Sequence, residues 1–117
     1  MHFHHQPPLI RYAAAHRDPR NIVLHCWGVP MVMMGISLLL LDWAYTGWAV
    51  ASAASGFLLQ AVGHWYEGRR PALGWINWAL APVFVGLQAA HQLGWAQALW
   101  SEVEHRAGPR RLRDMAL

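Results

Sequence analysis

The chain has 117 residues, enough for one domain, and a formal net charge of +3 at pH 7. Only 13% of its residues are charged, against roughly 25% in ordinary soluble domains, which excludes a water-soluble bundle whose helices each need a charged outer face. Its single cysteine, Cys26, excludes an internal disulfide and a zinc or iron–sulfur site of the CxxC type.

Three stretches contain no Asp, Glu, Lys or Arg, and each is long enough for the roughly 20 helical residues that span a bilayer. They cover residues 21–41, 43–66 and 71–101. The sequence therefore predicts an all-α fold, a polytopic transmembrane helical bundle of three to four membrane helices. We expect a single membrane domain, 1–117, with a polar N-terminal leader (1–18), a helical bundle (19–105) and a basic tail (106–117).

Capping residues and a short polar turn predict where the first two helices begin and end. Asp18-Pro19 starts a helix that runs to about Leu41, because Asp caps free N–H groups and Pro is tolerated at the first helical position. Residues 42–47 form a short turn, and a second helix covers about 48–67. Small residues from Ala49 to Gly56 permit close contact between helices, within the chain or in a homodimer.

The second half of the chain is less regular. A third helix begins at about Pro71 and continues past Pro82, which is expected to kink it. Two alternatives stay open for the residues that follow His91: a short fourth helix that returns across the bilayer, or a segment in the membrane interface. Gly108-Pro109 stops any helix before the tail.

The basic residues predict the orientation. All nine are arginine, and they form clusters at 11–20, 69–70 and 106–113. Since such clusters stay on the cytoplasmic side, the N-terminus and the loop at 69–70 face the cytoplasm, and His91 lies at or near the opposite face. The Arg-rich, Lys-free composition indicates a bacterial chain in the inner membrane. Nucleic-acid binding is not expected, because no basic groove is interleaved with aromatic residues.

Two polar stripes interrupt the apolar helices. Asn21, His25 and Gly28 share one face of the first helix, and Gln60, His64 and Glu67 share one face of the second. Polar side chains inside a membrane helix should face the bundle interior, so the two stripes are expected to face each other near the cytoplasmic side. The break at Asp18-Pro19 lets His16 fold over the same site.

Three neutral imidazoles beside a carboxylate would suit iron, zinc, copper or manganese. From the residues alone, hydrogen-bonded interior histidines are an equal alternative. Arg69 and Arg70 could hold a carboxylate or lipid headgroup, or simply anchor their loop. The remaining histidines lie outside these stripes, and the sequence assigns them no role: His2, His4 and His5 in the leader, and the isolated His91 and His105.

Three blocks of the sequence resemble a family of small multi-pass membrane proteins. The blocks are HRDPRNIVLHCWGVP (16–30), QAVGHWYEGRRPAL (60–73) and NWALAPVFV (77–85). That family includes the 2-hydroxy fatty acid dioxygenases, which act in the breakdown of phytosphingosine to odd-numbered fatty acids. The chain is shorter than the eukaryotic members, with a compressed region between His25 and Gln60.

The resemblance implies an Fe(II)-dependent dioxygenase that uses O2, without 2-oxoglutarate, to shorten a 2-hydroxy fatty acid by one carbon. It implies His16, His25 and His64 as the essential metal ligands. Around them we assign Glu67 as a fourth ligand or a hydrogen-bond acceptor beside the ligands, with further roles in catalysis for Asn21 and Arg69, and in substrate binding for Arg69, Arg70 and Gln60. The alternatives are a membrane protein that binds metal or haem without turnover, and a structural membrane protein.

Overall fold

The computed structural model describes residues 6–70 and 74–115, and within these ranges the chain is helical with no strand. The all-α prediction is confirmed. The described residues form five α-helices: α1 (Pro8–Ala14), α2 (Pro19–Leu41), α3 (Thr46–Glu67), α4 (Trp75–Gln92) and α5 (Gln97–Ala107).

Both ends of α2 lie where the capping residues predict them. The Asp18 side chain accepts a hydrogen bond from the backbone N–H of Arg20 at 2.9 Å and so caps the helix start. At the other end Asp42 accepts from the N–H of Ala44 at 2.9 Å and begins a single 3₁₀ turn, Trp43–Tyr45. This turn reverses the chain into α3, so α2 and α3 form an antiparallel hairpin. We call the end of the hairpin where α2 begins and α3 finishes the head end.

Small residues bring the two backbones of the hairpin into contact. A Cβ added to Gly28 would lie 2.7 Å from the Gly56 carbonyl oxygen, and one added to Gly56 would lie 2.5 Å from that of Gly28. Near the turn, Gly35 meets Ala49 and Ala53 in the same way. The face of α3 that carries Ala49, Ala53 and Gly56 is therefore used for contact within the chain.

The outer face of α2 is apolar and uncovered. This helix has 23 residues and a mean hydropathy of 1.9 over its most apolar window, so it is long and apolar enough to cross a membrane, and no other helix in the described ranges passes the same test. Only 33% of that window is buried inside the protein, whereas the core helix of a soluble protein would be mostly buried. Leu40 and Leu41 are 82% and 75% exposed.

The predicted polar leader contains a helix that the sequence analysis did not find. In α1, Ile10, Tyr12 and Ala13 are buried, and they belong to the main apolar core at the head end. The other members of this core come from α2, α4 and α5: Ile22, Phe84, Leu87 and Val103. The histidines at positions 2, 4 and 5 lie outside the described residues.

Helix α4 corrects the predicted topology. The expected start at Pro71 falls outside the described residues, and α4 begins at Trp75. The Trp78 ring lies 6.2 Å from that of Phe57, near the middle of the hairpin, whereas the Phe84 ring lies 5.4 Å from that of Tyr12 at the head end. The helix therefore runs back toward the head end. His91 follows on that side, not on the opposite one as predicted.

Helix α5 forms the segment after α4, for which a returning crossing and an interfacial segment were both predicted as alternatives. Its 11 residues make a helix of roughly 16 Å, too short for the roughly 30 Å of the hydrocarbon core. It packs against α1 at the head end, so the segment after α4 forms a short helix on that side. Trp100 on α5 stacks on the ring of His91 at 3.6 Å, so His91 is not isolated. As predicted, α5 ends before Gly108-Pro109.

One carboxylate connects α5 to the segment between α1 and α2. Glu104 accepts from Arg17 at 2.9 Å and from Arg110 at 2.8 Å. Burial by itself would raise the pKa of Glu104, but the hydrogen bonds and charges of Arg110 and Arg17 outweigh it and lower the pKa to about 2. The charged form is thus favoured in the folded state.

The contact between Gly28 and Gly56 can be tested by substitution. Gly56→Ala should lower the free energy of unfolding in detergent by roughly 1–3 kcal/mol, because the new Cβ meets backbone that cannot turn aside. Gly86→Ala is the matched control, since that helical glycine has nothing within 4 Å of its added Cβ. The control should be neutral or stabilising by up to about 1 kcal/mol. Equal effects of the two substitutions would contradict this packing.

Glu104 predicts a pH dependence of stability. Its folded pKa lies below the ordinary value of 4.5, so its contribution is complete above about pH 5 and is lost as the pH falls through 4.5 toward 2. Glu104→Gln should therefore be less stable than the native chain by roughly 1–3 kcal/mol at pH 6, with the difference shrinking below about pH 4.5 and disappearing near pH 2. Glu102→Gln, at a side chain that is 63% exposed, should show little difference at either pH.

Candidate metal centre

Three histidines from three separate segments meet at the head end. His16 comes from the linker between α1 and α2, His25 from α2 and His64 from α3. Their ring centroids lie 4.7, 5.3 and 4.9 Å apart for the pairs 16–25, 16–64 and 25–64. Each ring offers a nitrogen, and these nitrogens lie within 4.8 Å of one another. We call this group the histidine cluster, and it comprises the three residues that the sequence singled out.

The non-helical linker between α1 and α2 places His16 beside the other two rings. Helix α1 ends at Ala14 and α2 begins at Pro19, so the linker can turn His16 inward. Its ring stacks on that of Tyr12 at 4.2 Å and packs against that of Phe84 at 5.6 Å. The side chain is thus held between an aromatic wall and the two helices of the hairpin.

Backbone carbonyls define the protonation of two rings. His16 Nδ1 lies 2.7 Å from the Tyr12 carbonyl oxygen, and His25 Nδ1 lies 3.0 Å from that of Asn21. Since a carbonyl can only accept, each Nδ1 carries the hydrogen and each neutral ring keeps a lone pair on Nε2. A backbone carbonyl behind the ring is also the usual arrangement for a metal-ligating histidine.

The cluster leaves polar atoms that a cation would satisfy. His16 Nε2 and His64 Nδ1 are buried and have no hydrogen-bond partner, a situation that costs about 1–3 kcal/mol for each group. Burial and then the nearby His25 lower the pKa of His16 to about 3, so this ring is neutral at pH 7. Neutral imidazole is the form that binds a metal, and the donor set therefore fits a transition-metal ion.

Glu67 lies beside the cluster and makes bonds of its own. Its Oε1 accepts from the backbone N–H of Asp18 at 2.7 Å and from the Asn21 side chain at 3.2 Å. These bonds tie the end of α3 to the start of α2 and reach His25 through Asn21. Glu67 therefore accepts from Asp18 and Asn21, and it is not part of the group of ligand atoms.

Gly63 allows the two polar stripes to approach. A Cβ at this position would collide with Asn21 Oδ1 and lie 3.3 Å from His25 Nδ1. Gln60, one turn earlier on α3, bonds weakly to the Gly56 carbonyl at 3.4 Å and lines the cavity described next. The expectation that the stripes face each other therefore agrees with the structure.

A cavity of about 640 Å³ extends from the histidine cluster. Its polar wall holds Arg69 and Arg70, which follow the end of α3, and also Arg11 of α1. Arg11 was not among the predicted site residues, because the helix that carries it, α1, was not predicted from the sequence. The rest of the wall is mainly apolar and comes from α2, α3 and α4: Val29, Val32, Met33, Ile36, Phe57 and Trp78.

Comparison with known proteins gives one match. A family model described as "Mpo1-like: 2-hydroxy-palmitic acid dioxygenase Mpo1-like" matches residues 3–93. This range includes the histidine cluster and the whole cavity wall, and it ends before α5. No curated protein and no solved structure matches the chain.

The bonds of Glu67 predict how its variants differ. Glu67→Gln keeps a carbonyl oxygen for both hydrogen bonds, so Co(II) should bind with nearly native affinity. Glu67→Ala loses both bonds and should weaken Co(II) binding roughly 10-fold, as expected when a partner of a metal ligand is removed. Titration of the purified protein with Co(II) measures both. Equally severe losses in the two variants would show instead that Glu67 is itself a ligand.

Proposed function

This chain belongs to the Mpo1-like family, and we propose that it is an Fe(II)-dependent dioxygenase that shortens 2-hydroxy fatty acids by one carbon at a membrane face. The observation that carries the proposal is the group of three imidazoles, two buried and one half-buried, in the wall of a mainly apolar cavity. Such a cavity suits a ligand with a polar, metal-chelating head and a long apolar tail.

His16, His25 and His64 would hold the ion. Imidazole nitrogens suit iron, copper, nickel and zinc alike, but zinc has no redox chemistry, and the activity in the family description is an oxidation by O2. Iron(II) held by these three histidines would supply the activation of O2 that such an oxidation needs. Asn21 and Glu67 would keep His25 in the orientation that binding requires.

The substrate would bind with its carboxylate toward the arginines. Arg69 and Arg70 have guanidinium groups that can hold a carboxylate by paired hydrogen bonds, and Gln60 adds an amide to the same cavity wall. The acyl chain would follow Val29, Val32 and Ile36, which form a stripe on α2. From His25 to Ile36 this stripe is roughly 16 Å long.

The overall reaction needs no second reductant. Oxidation of R–CH(OH)–COOH by O2 to R–COOH, CO2 and water balances in atoms, and the substrate supplies all the electrons that reduce O2. The bond between the carboxyl carbon and C2 breaks, and C2 becomes the new carboxyl carbon. This stoichiometry explains why 2-oxoglutarate is not required.

The membrane location is part of the proposal. Helix α2 supports it by its length and its uncovered apolar face, and α3, with 22 residues, would cross beside it as its antiparallel partner. The arginine clusters lie at the head end, since Arg113 bonds to Asp18 there and Arg69 follows α3 directly. By the positive-inside rule the head end and the N-terminus face the cytoplasm, in the inner membrane of a bacterium.

The direct test is turnover with metal analysis. Anaerobically purified protein supplied with Fe(II), 2-hydroxypalmitate and O2 should release the acid that is one carbon shorter, with O2 consumed in equal amount. His25→Ala and His64→Ala should lose bound iron and at least about 100-fold in rate, because removing a ligand costs more than removing its hydrogen-bond partner. His105→Ala, at an exposed position on α5, is the control and should retain both.

Other outcomes would point to the alternatives. A Soret band in the purified protein would indicate a haem-binding module, and bound iron without product would indicate a metal-binding protein without turnover. No iron and no product, with His25→Ala lowering only stability, would leave a structural membrane protein.

A further inference from the structure

The segment after α5 lies across the head end of the hairpin. The backbone N–H of Arg111 donates to the carbonyl of Arg17 at 2.9 Å, and that of Arg113 donates to Asp18 Oδ2 at 2.9 Å. Both acceptors belong to the linker that carries His16. This segment is therefore attached directly to the linker of the histidine cluster.

The side chain of Arg113 reaches the other helix of the hairpin. Its Nε donates to the Tyr66 carbonyl at 2.8 Å and its Nη2 to the Trp65 carbonyl at 3.0 Å. Carbonyls in the last turn of a helix lack partners within the helix, and a cation there also interacts favourably with the helix dipole. The guanidinium group therefore caps α3, and a Cβ on Gly68 would come within 2.8 Å of it.

These contacts join the segments of two proposed ligands. Asp18 is two residues from His16, and Trp65 is the neighbour of His64. Glu67 also joins Asp18 to the end of α3, and Arg20, which bonds to Asp18, lies over the Tyr66 ring at 4.4 Å. Arg113 adds two hydrogen bonds to the carbonyls of Trp65 and Tyr66 at the same junction. Loss of its side chain would remove both of these bonds and loosen the end of α3 that carries His64.

We infer that Arg113 is a positioning residue for the histidine cluster, which clamps the linker of His16 to the end of the helix that carries His64. The inference rests on the proposed metal site. The family match ends at residue 93, so the clamp belongs to a part of this chain that the match does not cover. Arg113 is neither in the cavity lining nor among the ligand atoms. Its backbone bonds to Asp18 and Arg20, and its side chain bonds to the end of α3.

Cobalt(II) is the probe for the test, because its visible absorption reports the geometry of its ligands. In the full-length protein, Arg113→Ala should weaken Co(II) binding roughly 10-fold and change the absorption spectrum of the bound ion. Arg113→Lys keeps the charge and one donor, so it should recover part of the affinity. Arg111→Ala removes the same charge two residues away but keeps the backbone bond to Arg17, and it should match the native chain.

The outcomes separate the clamp from the metal site. Native affinity and spectrum in Arg113→Ala, with Co(II) bound by the native chain, would overturn the clamp and leave the proposed function standing. Absence of Co(II) binding by the native chain would overturn both. If Arg113→Ala does not fold, Arg113→Lys decides: an unchanged spectrum and affinity would count against the clamp, and an altered spectrum in a folded variant would support it.

Discussion

The close contact of α2 and α3 is the constraint on which the site depends. Gly28 and Gly56 let the two backbones touch, and Gly63 leaves the space that Asn21 and His25 occupy. Any larger residue at these positions would separate the helices by about the width of a side chain. His25 and His64 would then lie too far apart to share an ion, so small residues on the helix faces are as necessary to the centre as the imidazoles themselves.

The sequence predicted the parts of the fold that local chemistry determines. Asp18-Pro19 and Asp42 are capping signals that act over a few residues, and the ends of α2 follow from them. The spacing that puts His25 and His64 on polar faces is equally local. Helix α1 was missed because its seven residues are too few to show a clear period, and its stability comes from packing in the head-end core.

The direction of α4 shows what charge patterns leave undetermined. The positive-inside rule requires the arginine clusters to share a side, and they do share the head end. That requirement is met equally by a chain that crosses four times and by one whose α4 returns beside the hairpin. In the structure Phe84 contacts Tyr12 of α1 and Gln88 bonds to Arg110, so α4 runs toward the head end. These tertiary contacts cannot be predicted from the local sequence.

Competition for a carboxylate explains the role of Glu67. The polar stripe predicted Glu67 beside the histidines. The first N–H groups of α2 also need acceptors, and the Glu67 carboxylate accepts from the Asp18 N–H and from the Asn21 amide. A cluster of three neutral imidazoles with no carboxylate ligand would leave a bound divalent ion with its full charge. That charge, next to Arg69 and Arg70 and above an apolar wall, would favour a ligand that is anionic at one end and apolar at the other. The 2-hydroxy fatty acid of the proposed function has this character, and the boundary between the charged head end and the apolar hairpin would accommodate both of its ends.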